Sequence, residues 1–428
     1  MRQFSIRDKC RINTNCDSDI FVGITCENED ISINFPIGYA ISKDDRGLRS
    51  DIFLLLNTIK ITTGKKNSEI IEGHSIYHDT AFPIQAYMAV IYDFYSRGYY
   101  KEHEAMYGIA KRGKVNWNKT IKTQKPYVQG TSVYYLNFVT KRNRVNCDEL
   151  VTLIHEFFVY ESFCKIGWLF TGGMPEKPKI EYNEKLFRSI LKEKIANTFN
   201  DKNRELFINM LAIIDYQADN HFQKNYRYGT YRFEYVWEAM IDKVYGISEK
   251  KEYFPKTYWT IPGKEHANAP LKPDTIMVYK GSVYVLDAKY YKYGVTGKVT
   301  DLPQSASIYK QITYGEYITH HEKFKKKYGK DFKVYNAFIM PFNSLHSQWK
   351  TKDDVLWIGE AYGDWKRDGK PESESYEHIQ GVVIDVKHLM KINTSHNEEE
   401  IMKLAEKITR FYEEVQDENN GFKDFKQN

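Results

Sequence analysis

Two acidic residues and a lysine are closely spaced in the segment KPDTIMVYKGSVYVLDAKYY, residues 272–291. Asp274 and Asp287 flank twelve mostly apolar residues, and Lys289 follows the second acid by two positions. Carboxylate oxygens are the ligands that hard cations such as Mg2+ prefer. A bound cation can lower the pKa of water and neutralise charge that develops on a phosphoryl oxygen. These residue types therefore suit metal-assisted phosphodiester hydrolysis, in which Lys289 orients the attacking water or stabilises the developing charge.

The apolar residues between the two acids predict a β-hairpin that positions this chemistry. A turn at Lys280-Gly281, where glycine permits a positive φ, places Asp274 opposite Asp287. Two carboxylates opposed across an antiparallel pair repel each other, and a divalent cation between them would remove the conflict. Because side chains alternate along a strand, Asp287 and Lys289 share one face. The alternative is a structural Asp-Lys pair at a strand end, which the upstream Pro-Asp and the hairpin-compatible spacing disfavour.

Length and composition limit the class of protein. The 428 residues suffice for roughly two to three domains, and a net charge of +5 does not by itself indicate a nucleic-acid binder. Five cysteines without paired-motif spacing predict a reduced chain rather than a disulfide scaffold. The polar N-terminal sequence MRQFSIRDKC is unlike a signal peptide, and no apolar run approaches the roughly 20 residues of a membrane span. We therefore expect a cytoplasmic protein that does not contact a membrane.

The motif and several other segments resemble one group of nucleases. KPD followed by VLDAKY resembles the PD-(D/E)xK nuclease signature, and LDAKYY is similar to the nuclease subunits of McrC and LlaJI-type restriction systems. The segments FVGITCENEDISINFPIGYAI, GKVNWNKTI and FEYVWEAMID also resemble LlaJI-type restriction endonucleases, so the similarity touches most of the chain. This resemblance implies a Mg2+-dependent endonuclease that acts on double-stranded DNA, with Mn2+ able to replace Mg2+.

The same resemblance implies partners. Nucleases of this kind usually work with a McrB-like AAA+ GTPase that translocates DNA, beside cognate DNA methyltransferases that protect the host. The sequence has no Gly-rich phosphate loop followed by Lys-Ser/Thr, so we do not expect it to hydrolyse GTP itself. Two alternatives stay open: a self-sufficient nuclease in repair or phage resolution, and a non-catalytic DNA-binding adaptor. The intact Asp274, Asp287 and Lys289 argue against the adaptor.

A helix upstream of the hairpin offers a further acid. Glu234 and Glu238 lie one turn apart in YRFEYVWEAMIDKVYG, beside an apolar stripe at helical spacing that consists of Phe233, Trp237, Met240, Ile241 and Val244. Glu234 lies nearer the centre of the stripe. It is therefore predicted to be the acid that the first core helix of a PD-(D/E)xK fold sends toward the metal, with Glu238 as the alternative. The alternative is that both glutamates are solvated residues that flank the stripe and have no role at the site.

The helix after the hairpin is expected to bring a glutamine to the site. DLPQSASIYKQITYGEY has a helix start at Asp301 and Pro303. In McrC-like nucleases a glutamine of this helix approaches the catalytic lysine, and Gln311 matches it best. The usual Gln-x-x-x-Tyr spacing is not kept, because Gly315 occupies the expected position and Tyr314 comes one residue early. The predicted catalytic residues are Asp274, Asp287, Lys289, Glu234 and Gln311, and the predicted metal ligands are Asp274, Asp287, Glu234 and Ala288.

The order of the elements predicts an α/β fold with three regions. Residues 228–428 are predicted to form a PD-(D/E)xK nuclease domain with a mixed central sheet. FKVYNAFIMP and IQGVVIDVK supply later strands of that sheet, and NEEEIMKLAEKITRFYEEV a closing helix. Residues 126–227 are predicted to be largely helical. Residues 1–125 are predicted to form an α+β region that binds a partner or DNA.

Overall fold

The computed structural model describes residues 5–14, 20–28, 30–63, 78–79, 81–110, 112–146, 149–170, 173–220, 225–345, 349, 351–364 and 374–410. The strands in chain order are β1 (Cys10–Ile12), β2 (Val22–Glu27), β3 (Asp30–Phe35), β4 (His78–Asp79), β5 (Glu102–Ile109), β6 (Lys114–Val115), β7 (Tyr127–Gln129), β8 (Ser132–Tyr134), β9 (Val139–Asn146), β10 (Tyr226–Thr230), β11 (Tyr258–Ile261), β12 (Lys264–Ala267), β13 (Thr275–Tyr279), β14 (Ser282–Ala288), β15 (Val334–Phe342), β16 (Val355–Ala361) and β17 (Ile379–Asp385). The α-helices are α1 (Asp45–Thr63), α2 (Ile84–Arg97), α3 (Trp117–Thr123), α4 (Leu150–Ile166), α5 (Glu184–Asn197), α6 (Asp201–Asn220), α7 (Phe233–Tyr245), α8 (Tyr293–Thr296), α9 (Ser305–His320), α10 (Glu322–Tyr328), α11 (Val386–Ile392) and α12 (398–410).

The chain divides into two compact units. The first combines Met1–Thr80 with Asn225–Asn428, and the second is Ala81–Lys224. The first unit is discontinuous in sequence because β10, which follows the second unit, pairs antiparallel with both β2 and β4. The units therefore follow other boundaries than the predicted regions 1–125, 126–227 and 228–428. The N-terminal strands lie in the same unit as the predicted nuclease region, since their pairing partner comes from the far side of the insertion.

The N-terminal sheet of the first unit has the strand order β1-β3-β2-β10-β4. In its β2–β3 hairpin, Glu27 pairs with Asp30. The following helix, α1, packs against α7 and α11. There the buried carboxylate of Asp51 binds the ammonium of Lys387 at 2.7 Å. This ion pair ties the N-terminal elements to the end of the C-terminal sheet, within one unit.

The C-terminal sheet has the order β13-β14-β15-β17-β16. Strands β14, β15 and β17 run parallel, and the edge strands β13 and β16 pair antiparallel to their neighbours. The predicted α/β class with a mixed sheet is confirmed, and so are the two predicted later strands. The closing helix is present as α12, while the rest of the segment predicted for it lies outside the described residues.

The interior of this sheet explains why its strands read as apolar runs. Six of the seven residues of β14 are buried, because helices cover the sheet. α7 packs against β13 and β14, and α9 packs against β14 and β15. None of the helices in the described part of the chain combines the length and apolar character that a membrane crossing requires.

The second unit is built mainly from helices, as predicted for the middle region. α2 packs against α4 and α6, and α5 packs against α6. The unit also contains a small antiparallel sheet of order β5-β9-β6 and the separate β7–β8 hairpin. The sequence patterns had not indicated these strands, which are short or polar.

Candidate active site

The β13–β14 hairpin brings the two aspartates together. Thr275 pairs with Leu286 and Tyr279 with Ser282, which is the predicted register. The turn residues Lys280 and Gly281 both have positive φ angles, of 47° and 78°. The register confirms the position of the turn that was predicted from a single glycine.

At the open end of this hairpin the two carboxyl groups meet. Asp274 lies one residue before β13, and its Oδ2 accepts a hydrogen bond from the backbone N–H of Ala288 at 2.8 Å. The Asp287 carboxylate lies close enough to Asp274 to raise the pKa of the Asp274 carboxyl group. Asp287 is only 2% exposed. The predicted opposition of two acids is therefore present, and one of them is fully buried.

Lys289 completes the cluster from the same strand edge. Its Nζ lies 2.7 Å from Oδ2 of Asp287. Its backbone N–H donates to the carbonyl of Ile339 at 2.9 Å, which continues the pairing of this chain segment with β15. Two carboxyl groups and one ammonium thus converge at one point of the sheet, as the alternation of side chains predicted.

Two contacts that sequence reasoning missed hold the Asp274 segment in place. Lys250 Nζ donates to the carbonyl of Asp274 at 2.6 Å and to Oδ1 of Asp242 at 2.7 Å. The hydroxyl of Tyr314 donates to the carbonyl of Lys272 at 3.1 Å. Lys250 therefore joins the last turn of α7 to the segment that carries the acid. No local pattern marks Lys250, because its partners are distant in sequence.

The electrostatics of the cluster are those of acids crowded without enough cations. Burial, reinforced by the neighbouring Asp287 and Glu238, raises the pKa of Asp274 well above its ordinary range. Burial together with Asp287 also raises the pKa of Glu238 to about 7. Burial alone would lower the pKa of Lys289, but the charges of Asp287 and Asp274 outweigh it and raise that pKa. The site thus favours additional positive charge.

Glu234 and Glu238 of the upstream helix both line the cleft beside Lys289, but they have different neighbours, and the role predicted for Glu234 stays a prediction. Glu238 interacts electrostatically with Asp287 and Lys289, whereas the Glu234 carboxylate pairs with the guanidinium of Arg232. The reason is the position of α7 along the sheet. The indole N–H of Trp237 donates to the carbonyl of Ile339 at 3.2 Å, the same carbonyl that binds the Lys289 N–H. The residue next to Trp237 therefore lies level with Lys289, and Glu234 lies one turn away.

We expect Glu238→Gln to lower cleavage by about 10- to 100-fold, the usual cost of losing a group that supports a metal site. Glu234→Gln should stay within about twofold of the wild type, because the contact it loses is a partly exposed pair with Arg232. The two isosteric variants lie on adjacent turns of one helix and control for each other. Single-turnover cleavage of a labelled duplex measures both. Loss of activity in Glu234→Gln with Glu238→Gln unaffected would instead identify Glu234 as the acid that supports the metal.

Gln311 lies on the predicted helix but contacts the sheet. α9 begins at Ser305 with Gln304 at its N-cap, later than the predicted start at Asp301. The Gln311 side chain is buried, and its Nε2 donates to the carbonyl of Val285 at 2.7 Å and to Oδ1 of Asn336 at 3.5 Å. It therefore fixes α9 on the strand that carries Asp287. Its approach to the lysine stays a prediction.

The donor set of the cluster fits a divalent cation in chemistry and in charge. The carboxyl groups of Asp274, Asp287 and Glu238 interact electrostatically with one another. Within the described ranges, however, no three His, Cys, Asp or Glu side chains are grouped closely enough to hold an ion. Cation binding would therefore require the third carboxylate to move inward. Ala288, the fourth predicted ligand, lies beside them through its backbone.

A cleft of about 670 Å³ adjoins this cluster. Its lining includes Lys289 and Glu238. Arg232 and Lys292 add two further positive charges, and Val22 comes from the N-terminal sheet. Positively charged groups near a cleft are suited to the phosphates of a substrate. The cleft therefore gives an anionic substrate access to Glu238 and Lys289, while Asp274 and Asp287 are not among its lining residues.

The chain belongs to the LlaJI restriction endonuclease family, whose model matches residues 21–356. Membership in a restriction endonuclease family implies nuclease activity. No curated protein matches the chain at a significant level. Among solved structures, it is similar to a chain in the refined half-complex from a tetradecameric assembly of Thermococcus gammatolerans McrB AAA+ hexamers with bound McrC. The identity is 14%, the match covers 87% of this chain and 81% of that chain, and the TM-score is 0.35, which does not establish a common fold.

Proposed function

We propose that this protein is a Mg2+-dependent DNA endonuclease of the PD-(D/E)xK type and the nuclease subunit of an anti-phage restriction system. The observation that supports it most directly is the convergence of Asp274, Asp287 and Lys289 at the open end of the β13–β14 hairpin. These are the acids and the lysine of the signature motif, and they adjoin a cleft. Family membership supports the nuclease activity independently.

The residues of the cluster have separate roles in this proposal. Asp274, Asp287 and Glu238 hold the cation, which supplies charge neutralisation at the phosphoryl group and a lowered pKa of water. Lys289 stays protonated beside Asp287, so it orients the attacking water or stabilises negative charge on the phosphoryl oxygens. Gln311 keeps the strand bearing Asp287 fixed against α9. Mn2+ also fits a site made of carboxylate oxygens.

The system around the nuclease is part of the proposal. The substrate is double-stranded DNA, and cognate methyltransferases protect the host sites. The partner is a McrB-like AAA+ GTPase, since the chain has no phosphate loop of its own. The second unit offers a surface for it: large apolar side chains are exposed between residues 109 and 136, namely Ile109, Trp117, Ile121, Tyr127, Val128, Val133, Tyr134 and Leu136. Exposed apolar groups in one segment are typical of an interaction surface.

Removing the metal tests the proposal. We expect no cleavage of duplex DNA in EDTA and restored cleavage on adding Mg2+ or Mn2+. Binding of the cation should also raise the unfolding midpoint of the full chain, because it relieves repulsion between buried acids and binds the native state only. Asp287→Asn should abolish this shift without DNA present. Cleavage in EDTA, or an equal Mg2+ shift in Asp287→Asn, would contradict the metal site.

A further inference from the structure

A second hairpin, β11–β12, precedes the candidate active site in the chain. Every residue of its two strands is exposed, and Trp259 is 67% exposed. The turn contains Gly263 at a φ of 83°. A two-stranded hairpin without a buried face gains little stability from packing. The residues on each of its two faces therefore decide what it can contact.

The register places the basic groups on one face of the hairpin and the acidic group on the other. Trp259 pairs with His266, and Ile261 pairs with Lys264. Because side chains alternate and paired residues point the same way, these four residues share one face. The other face consists of Tyr258, Thr260, Glu265 and Ala267. The basic groups thus lie beside Trp259, and the carboxylate of Glu265 lies on the opposite side.

The base of the hairpin is fixed to the segment that carries the catalytic acid. The backbone N–H of Asn268 donates to the carbonyl of Thr257, and that of Leu271 to the carbonyl of Pro255, each at 2.9 Å. Leu271 packs against the core of the C-terminal sheet. Asp274 follows three residues later. The hairpin is therefore an exposed ribbon on a rigid base next to the acid.

We propose that the Trp259 face of this hairpin binds double-stranded DNA beside the phosphate that is cleaved. The inference rests on the proposed function and adds a substrate contact to it. A two-stranded ribbon fits the major groove, which is about 12 Å wide. Lys264 then meets a phosphate, and Trp259 meets a sugar or base edge. An apolar protein surface would have to desolvate Lys264 without compensation, so the polyanion is the better match.

The inference is tested by measuring how tightly the full chain binds a labelled duplex. The binding is measured by fluorescence anisotropy in EDTA at low ionic strength. Trp259→Ala should raise Kd about five- to tenfold. Tyr258→Ala, an aromatic change of similar exposure on the opposite face, should stay within about twofold. Lys264→Ala should reduce the salt slope of log Kd by about one, the signature of a single lost phosphate contact. Glu265→Gln serves as its control and should leave the slope unchanged.

Equal effects of Trp259→Ala and Tyr258→Ala on Kd would overturn the inference, as would an unchanged salt slope in Lys264→Ala. A change of oligomeric state in Trp259→Ala with unaltered DNA binding would also overturn it and assign the face to a second copy of the chain. Lys264→Ala decides the question if Trp259→Ala does not fold. Failure of the proposed function looks different: the wild type would bind duplex but not cut it with Mg2+, even with the GTPase partner and GTP present. A wild type that binds no duplex overturns both.

Discussion

Asp287→Ala and Lys289→Ala are each expected to lower Mg2+-dependent DNA cleavage by at least about a hundredfold while the chain stays folded. Asp287→Ala removes a carboxylate that binds Lys289 at 2.7 Å and raises the pKa of Asp274. Lys289→Ala removes the cation that stands ready to stabilise charge on the phosphoryl oxygens. Losing one such preorganised electrostatic group commonly costs two to three orders of magnitude, or about 3–4 kcal/mol of barrier. Single-turnover cleavage of a labelled duplex at saturating Mg2+ measures the loss.

The expectation of an intact fold has a physical basis in the cluster itself. In Asp287→Ala one of the crowded acids is gone, so Asp274 no longer faces its repulsion. In Lys289→Ala the acids lose a neutralising partner, but Asp274 can be protonated, as its raised pKa indicates. Circular dichroism and the unfolding midpoint check both. Lys326→Ala and Asp331→Ala, at exposed positions, are the matched controls. Wild-type cleavage by either site variant would show that the site lies elsewhere.

The hairpin could be predicted because its determinants are local. A glycine turn fixes the register, alternation fixes the face, and the spacing of Asp274 and Asp287 then follows. Lys280 adopts a positive φ of 47° although it is not glycine. The pairing of the two strands therefore imposes this backbone conformation on both turn residues. The same locality explains why the later parallel strands were recognised as uninterrupted apolar runs.

The choice between Glu234 and Glu238 could not be made from sequence. Helical periodicity identifies the face that α7 buries, but not how far the helix is shifted along the sheet. That shift is set by the bond between Trp237 and Ile339, which are 102 residues apart. The pairing of β2 with β10 joins residues even farther apart, and Lys250 joins Asp242 and Asp274 across two different elements. Sequence patterns specify local registers, whereas the meeting of distant elements requires the tertiary structure.

Specific cleavage is expected to depend on a McrB-like AAA+ GTPase and on GTP. The chain has no phosphate loop, and its net charge of +5 is too small to hold DNA tightly through phosphate contacts at physiological salt. The isolated protein should therefore bind DNA weakly and cut it poorly or without specificity. With the GTPase it should form a stable complex through its N-terminal and second-unit residues, up to about residue 225. Size-exclusion chromatography followed by a nucleotide-dependent cleavage assay measures both parts.

The apolar surface of the second unit allows this dependence to be tested at single residues. Val128 and Leu136 are 71% and 68% exposed, so Val128→Asp and Leu136→Asp should not disturb the core. Both should weaken the complex by about tenfold or more, because they place a charge where the partner's apolar groups would bind. Val299→Asp, at a position 75% exposed in the first unit, is the control and should leave the complex intact. GTP-dependent cleavage should fall with complex formation, while residual Mg2+-dependent cutting by the isolated chain stays unchanged. Robust, site-specific cutting by the purified chain with Mg2+ alone would refute the partner model and favour a self-sufficient nuclease.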